Sequence, residues 1–172
     1  MNDEALTTWC DRLDRFSAVT GRAVAWLTLL MVLVTVVVVV LRYAFDIGLI
    51  WLQESLTWMH AAVFMLGAAW TLERDEHVRV DVFYRDLGER RRGFVNLLGT
   101  LLFVLPLCGL VLYEGWPWVL RAWEIREVSR DTGGLPYPAI PLLKSVLLVM
   151  PLAVALQGVS LALRAVIAIR RG

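Results

Sequence analysis

"AVAWLTLLMVLVTVVVVVL", residues 23–41, runs for nineteen positions without a charged side chain. Valine favours strands in water. A bilayer changes that preference, because a backbone in hydrocarbon must satisfy its own hydrogen bonds and a helix does so within one segment. A helix rises 1.5 Å per residue, so roughly 20 apolar residues cross a hydrocarbon layer of about 30 Å. The stretch is therefore expected to be a membrane-spanning helix. A cleaved secretory signal is the rival reading, but its apolar core is usually about 7–15 residues long and is followed by a small-residue cleavage site. Here the run is longer and ends in Leu41-Arg42-Tyr43, so it is expected to stay as an anchor.

Three more stretches match it, at about residues 50–72, 94–113 and 145–163. The whole composition agrees, with 59% hydrophobic and only 19% charged residues and a mean hydropathy of +0.65. That is too apolar for an ordinary water-soluble domain of this length. The expectation is an all-α integral membrane protein of four transmembrane helices forming a single domain over residues 1–172. A net charge of +1 argues against nucleic acid as a partner, since a nucleic-acid binder needs a basic surface. Cys10 and Cys108 lie in unlike settings and suggest neither a disulfide nor a metal site.

Arginine sets the expected orientation. Arg12, Arg15 and Arg22 precede the first span, Arg74, Arg79, Arg85, Arg90, Arg91 and Arg92 fall between the second and third, and Arg164, Arg170 and Arg171 end the chain. The other two connections carry only Arg42, and Arg121, Arg126, Arg130 and Lys144. Cytoplasmic segments hold the excess of Lys and Arg, so both termini and the charged segment at residues 72–86, "LERDEHVRVDVFYRD", are expected inside. Within that segment His77 and Asp81 are spaced i and i+4, as on one helical face, while Val78, Val80 and Val82 alternate as in an extended strand.

Residues 1–22 read as an amphipathic interfacial helix, with Leu6, Trp9, Leu13, Phe16 and Thr20 at helical spacing and charges between them. The short connection at residues 42–49 implies an antiparallel hairpin of the first two spans. Tyr113, Trp116, Trp118 and Trp123 resemble an interfacial aromatic belt. Pro117 either starts a surface helix or kinks a continuing one. Gly133-Gly134-Leu135-Pro136 ends whatever helix precedes it.

Polar residues inside the spans need partners. Glu54, one turn into the second span, and Arg42, at the end of the first, are expected to pair across the hairpin. Gln53, Thr57, His60, Phe64 and Gly67 share one helical face and read as a packing seam of small and hydrogen-bonding residues. A haem ligand is the sharper reading of His60, but His77, the other histidine, lies about 25 Å farther along the same helix.

The run at residues 42–84, "RYAFDIGLIWLQESLTWMHAAVFMLGAAWTLERDEHVRVDVFY", resembles the small membrane subunit, DctQ type, of tripartite ATP-independent periplasmic (TRAP) transporters. The matching elements are Arg42-Tyr43 with Phe45, then Trp51 and Glu54, Gly67-Ala68-Ala69, and the run His77, Val78, Arg79, Val80, Asp81. Residues 133–158, "GGLPYPAIPLLKSVLLVMPLAVALQG", are similar to the outer loop and fourth helix of that family and contribute Gly133, Gly134, Pro136 and Lys144. Trp116-Pro117 and Leu143-Lys144-Ser145 resemble the subgroup labelled mannitol/chloroaromatic transport.

The resemblance implies a multi-pass protein of the bacterial inner membrane that is not an enzyme. It implies two protein partners: a large permease subunit that binds solute and sodium, and a periplasmic substrate-binding protein. Sodium coupling then belongs to the large subunit, and no cofactor is expected in this chain. The residues named above, with His60, become expected structural or partner contacts, and the charged segment becomes a docking corner. Two other classes compete. A membrane anchor of a redox enzyme needs facing histidines, and a self-contained small exporter needs a charge near the midplane, whereas Glu54 sits near an edge.

Overall fold

The computed structural model describes residues 3–76, 84 and 86–171. It is helical throughout: α1 spans Asp3–Ala44, α2 Ile50–Glu73, α3 Glu89–Gly99, α4 Leu105–Glu124 and α5 Ala139–Arg171. A π-helical turn at Thr100–Val104 joins α3 to α4, so the two form one continuous rod of 36 residues. Among the described residues, four rods are thus long and apolar enough to cross a membrane.

Three of the four outrun the expected boundaries. The valine run lies within α1, which begins at Asp3 and is 42 residues long. At 1.5 Å per residue that is about 60 Å, roughly twice the hydrocarbon thickness. The amphipathic lead-in is therefore not a separate element but the first turns of the same helix. Nothing in residues 3–22 breaks a helix: they contain no proline, and Gly21 is the single glycine. The third span starts at Glu89 and runs past the expected end at Tyr113 to Glu124, passing through Pro117 inside α4. Pro117 therefore continues a helix and does not begin one. The fourth begins at Ala139, six residues early, and carries Pro151 in its interior.

Helix ends are closed by recognisable chemistry. After α2, Glu76 N–H donates to Thr71 O at 3.1 Å and Asp75 N–H to Leu72 O at 3.2 Å, with Asp75 in the left-handed region at φ 60°. α4 ends alike, with Glu127 N–H to Ala122 O at 3.0 Å and Arg126 N–H to Trp123 O at 3.2 Å, and Arg126 at φ 49°. These paired bonds satisfy the last carbonyls of each helix and reverse the chain. In the π turn, Thr100 is buried, and its hydroxyl donates to Asn96 O at 2.8 Å.

α5 is the hub of the bundle. It packs against α1, α2, α3, the π turn and α4, whereas α1 and α2 touch each other and α5 only. Among the described residues, the helices of the α3–α4 rod therefore meet those of the α1–α2 hairpin through α5 and not directly. The buried positions are mostly small or polar: Cys10, Ser17, Ala62, Ala69, Cys108, Ala122, Ser160 and Ala165. Lipid tails are as apolar as leucine, so helices in a bilayer associate through close packing and hydrogen bonds, and small residues allow that approach.

Candidate functional site

At the end of the bundle away from the termini, Glu54 organises the 125–138 connection. One carboxylate oxygen accepts from the Ser129 hydroxyl, and the other accepts from Leu135 N–H at 2.6 Å. Ser129 Oγ in turn accepts from Asp131 N–H at 3.1 Å. Trp51, one turn earlier on α2, donates its backbone N–H to Gly133 O at 3.2 Å. Glycine is required twice here. Gly133 sits at φ 82°, and a Cβ on Gly134 would overlap the Ser129 hydroxyl and lie 2.7 Å from Glu54 Oε1. Pro136 stands next in the loop, and its carbonyl accepts from Ala139 N–H at 2.9 Å at the start of α5.

The expected Arg42–Glu54 pair does not form. Arg42 lies in the last turn of α1 and is exposed, and both carboxylate oxygens of Glu54 are taken by the loop. The physical reason is the turn: Asp46 at φ 57° and Ile47 N–H bonded to Leu41 O at 2.9 Å fold residues 45–47 back on α1. Tyr43 is likewise outward, 84% exposed.

Lys144 has a separate role. Its ammonium bonds Glu127 Oε2 at 2.6 Å and sits 4.1 Å from the centre of the Trp118 ring. Trp123 Nε1–H donates to Ser145 Oγ at 3.0 Å, and Trp58 Nε1–H to Ala139 O at 3.2 Å. The loop between α4 and α5 is thus tied to three helices, α2, α4 and α5. That array brings together Trp51, Glu54, Gly133, Gly134, Pro136 and, one helix turn away, Lys144.

The seam expected on α2 faces the wrong way for internal packing. Thr57, His60 and Phe64 are exposed, and a Cβ added at Gly67 would touch nothing within 4 Å. The buried positions of α2 are Met59, Ala62 and Ala69, which lie on another side of the helix. His60 stacks on Phe64 with ring centroids 6.5 Å apart. His77, Arg79 and Asp81 lie outside the described residues.

Sequence reasoning missed the polar seam at the other end, where α1 meets α5. Asp14 Oδ1 accepts from Gln157 Nε2 at 2.8 Å and Ser160 Oγ at 2.7 Å. Its Oδ2 accepts from Arg164 Nε at 3.1 Å and Nη2 at 2.5 Å. Arg164 also reaches Asp11 at 3.0 Å, and the Ser17 hydroxyl donates to Gln157 Oε1 at 2.7 Å. Every member has a partner, as a buried polar network requires. A signal for it exists in the spacing: Cys10, Asp14, Ser17 and Gly21 recur at i, i+4, i+7 and i+11, and Gln157, Ser160 and Arg164 at i, i+3 and i+7. Gly21 closes the stripe against α2, where a Cβ would overlap the Trp70 ring.

Among the described residues no three His, Cys, Asp or Glu side chains gather into a metal-binding group. What the polar residues do is hold helices and a loop in register.

The family model "Tripartite ATP-independent periplasmic transporters, DctQ component" matches residues 31–171. The C4-dicarboxylate TRAP transporter small permease protein DctQ of Vibrio cholerae serotype O1 is 26% identical over 137 residues, which cover 76% of this chain and 56% of that relative. The chain thus spans little more than half the length of that curated relative. No solved structure matches it. With four spans and a family match over most of its length, the chain belongs to the DctQ family, multi-pass inner-membrane components of TRAP transporters and not enzymes.

Proposed function

We propose that this chain is the scaffold of its transporter. It binds and stabilises a large, sodium-coupled permease subunit that moves an organic-acid-like solute, and it helps to dock a periplasmic substrate-binding protein. Both termini and the charged segment at residues 72–86 face the cytoplasm in this reading, as the arginine distribution favours. The tied-down loop at residues 125–138 then lies on the periplasmic side, where a rigid surface suits a soluble partner.

The observation that carries the scaffold reading is how little of each rod the chain covers by itself. Only 6% of the most apolar stretch of α1 is buried, and even α5 reaches only 28%. A bundle held by one hub helix and open on its flanks leaves surface for lipid and for a second membrane protein, and the family match is what favours such a protein. Secondary transporters commonly place solute between broken helices near the midplane. Here the charged clusters around Asp14 and Glu54 lie toward the two ends and have internal partners.

The test is reconstitution into vesicles with a sodium gradient, omitting one component at a time. A C4-dicarboxylate is the first solute to try, since the Vibrio cholerae relative's name carries it. Uptake is expected only with the large subunit and the binding protein both present. Uptake by this chain alone would overturn the reading.

A further inference from the structure

The bundle presents three outward surfaces. Along α1 it exposes Val32, Val36, Val39 and Val40, and along the π turn and α4 it exposes Leu102, Phe103, Leu107 and Leu110. Hydroxyls near these surfaces are satisfied within their own helices, Thr35 by Met31 O at 2.7 Å and Thr100 by Asn96 O. Both surfaces suit lipid tails.

The outward face of α2 differs. Gln53, Thr57 and His60 follow one another along it, and none has a side-chain hydrogen bond among the described residues. His60 is ten residues from one end of α2 and thirteen from the other, which sets it roughly 15 Å or more from either end, near mid-depth. An unpaired imidazole in hydrocarbon costs several kcal/mol by order of magnitude, so lipid is a poor neighbour for this face at His60, while Gln53, half-buried in the first turn of α2, marks its outer edge. The face continues into a groove between α1 and α2 lined by Val24, Thr28, Phe64 and Gly67, and Thr28 too lacks a hydrogen bond among the described residues. Open space over Gly67 leaves room for a helix backbone to approach closely.

We propose that this face of α2, with the groove beside it, docks on a transmembrane helix of the large permease subunit, and that this helix supplies hydrogen-bonding groups to Gln53, Thr57 and His60. The inference rests on the scaffold reading above and names the face that the scaffold uses. A second copy of this chain is the competing occupant, since amide, hydroxyl and imidazole groups each donate and accept. The large subunit is chosen because the scaffold reading makes it the membrane partner of this chain, and homodimer adducts in the test below decide between the two. A foreign helix fills the groove and satisfies the polar row together.

The experiment places a photo-crosslinking phenylalanine analogue at Thr57 or Phe64, and for comparison at Val36 or Phe103, in cells that also make the large subunit. Adducts to the large subunit are expected from the two α2 positions and not from the other two. Adducts from Val36 or Phe103 in their place, homodimers alone, or no adduct from α2 would overturn the proposal. A second arm uses the triple variant Gln53→Leu, Thr57→Val, His60→Leu, which leaves a face suited to lipid and breaks no hydrogen bond among the described residues, only the His60–Phe64 ring contact. Its recovery of the large subunit on co-purification is expected to fall about tenfold, the loss of a few interhelical hydrogen bonds; undiminished recovery overturns the polar part of the proposal. If the unmodified chain fails to recover the large subunit at all, the scaffold reading falls first. Recovery with crosslinks through α1 or α4 sinks only the choice of face.

Discussion

Asp14 and Glu54 are both carboxylates among apolar helices, and the chain treats them differently. Asp14 meets a cation and two polar side chains, all from α5. Glu54 meets a hydroxyl and a backbone N–H from one loop, with no cation. The first arrangement sets the register of two long helices 150 positions apart in sequence. The second shapes the turn of a loop that Trp51 and Lys144 also tie down. A charge pair can be rebuilt from other charges, whereas a carboxylate that captures a backbone N–H depends on where the chain itself runs.

The contrast breaks most severely at Gly134. A valine there has no room beside Ser129 and Glu54, so Gly134→Val is expected to release the loop while leaving the α1–α5 seam intact. Limited proteolysis in detergent should then show new cleavage within residues 125–138 and none in α1.

Asp14→Ala comes next. It leaves Gln157 and Ser160 without their acceptor, while Arg164, half exposed, keeps Asp11. The expected loss is roughly 1–2 kcal/mol, below that of a fully buried pair because solvent screens Arg164. Chemical denaturation in micelles measures it, and exchanging the charges as Asp14→Arg with Arg164→Asp should recover part of the loss.

Glu54→Gln is milder than Glu54→Ala. The amide oxygen still accepts from Leu135 N–H, and the Ser129 hydroxyl can turn to accept from the amide nitrogen. The thermal midpoint of the glutamine variant should fall between wild type and alanine. A midpoint for glutamine as low as for alanine would mean that the negative charge, and not the acceptor, holds the loop.

The smallest effect separates the two ends by salt. At 1 M ionic strength the screening length shrinks to about 3 Å, so the exposed Arg164–Asp11 contact should weaken slightly. The Glu54 contacts, which involve no cation, should respond less, since the ion pair nearest them, Lys144–Glu127, is the less exposed of the two. Hydrogen exchange at residues 10–17 against residues 129–135 compares them directly.

The four spans were legible because a membrane leaves the backbone few options, and runs such as residues 23–41 admit no charge. Their ends were less so. Residues 3–22 carry charges that mark water or headgroups, yet a helix propagates cheaply once begun and continues until something stops it. The Glu54 corner was legible only as a set: the sequence marks Trp51, Glu54, Gly133, Gly134 and Pro136, but the partner expected for Glu54, Arg42, is not the one it has. Proximity in sequence suggested Arg42, while the true donors, Ser129 and Leu135, lie 75 and 81 positions away. The seam around Asp14 escaped because its residues looked like ordinary terminal charges and hydroxyls when each helix was read alone.

By itself the sequence determined that this chain is four apolar helices, since hydrophobic length and backbone self-satisfaction are local properties. Only the tertiary structure decided that α5 is the hub, that Asp14 belongs to Arg164 and Glu54 to the loop, and that the polar face of α2 looks outward. Those outcomes depend on which side of each rod meets its neighbours, and helical spacing defines a side without saying what lies against it.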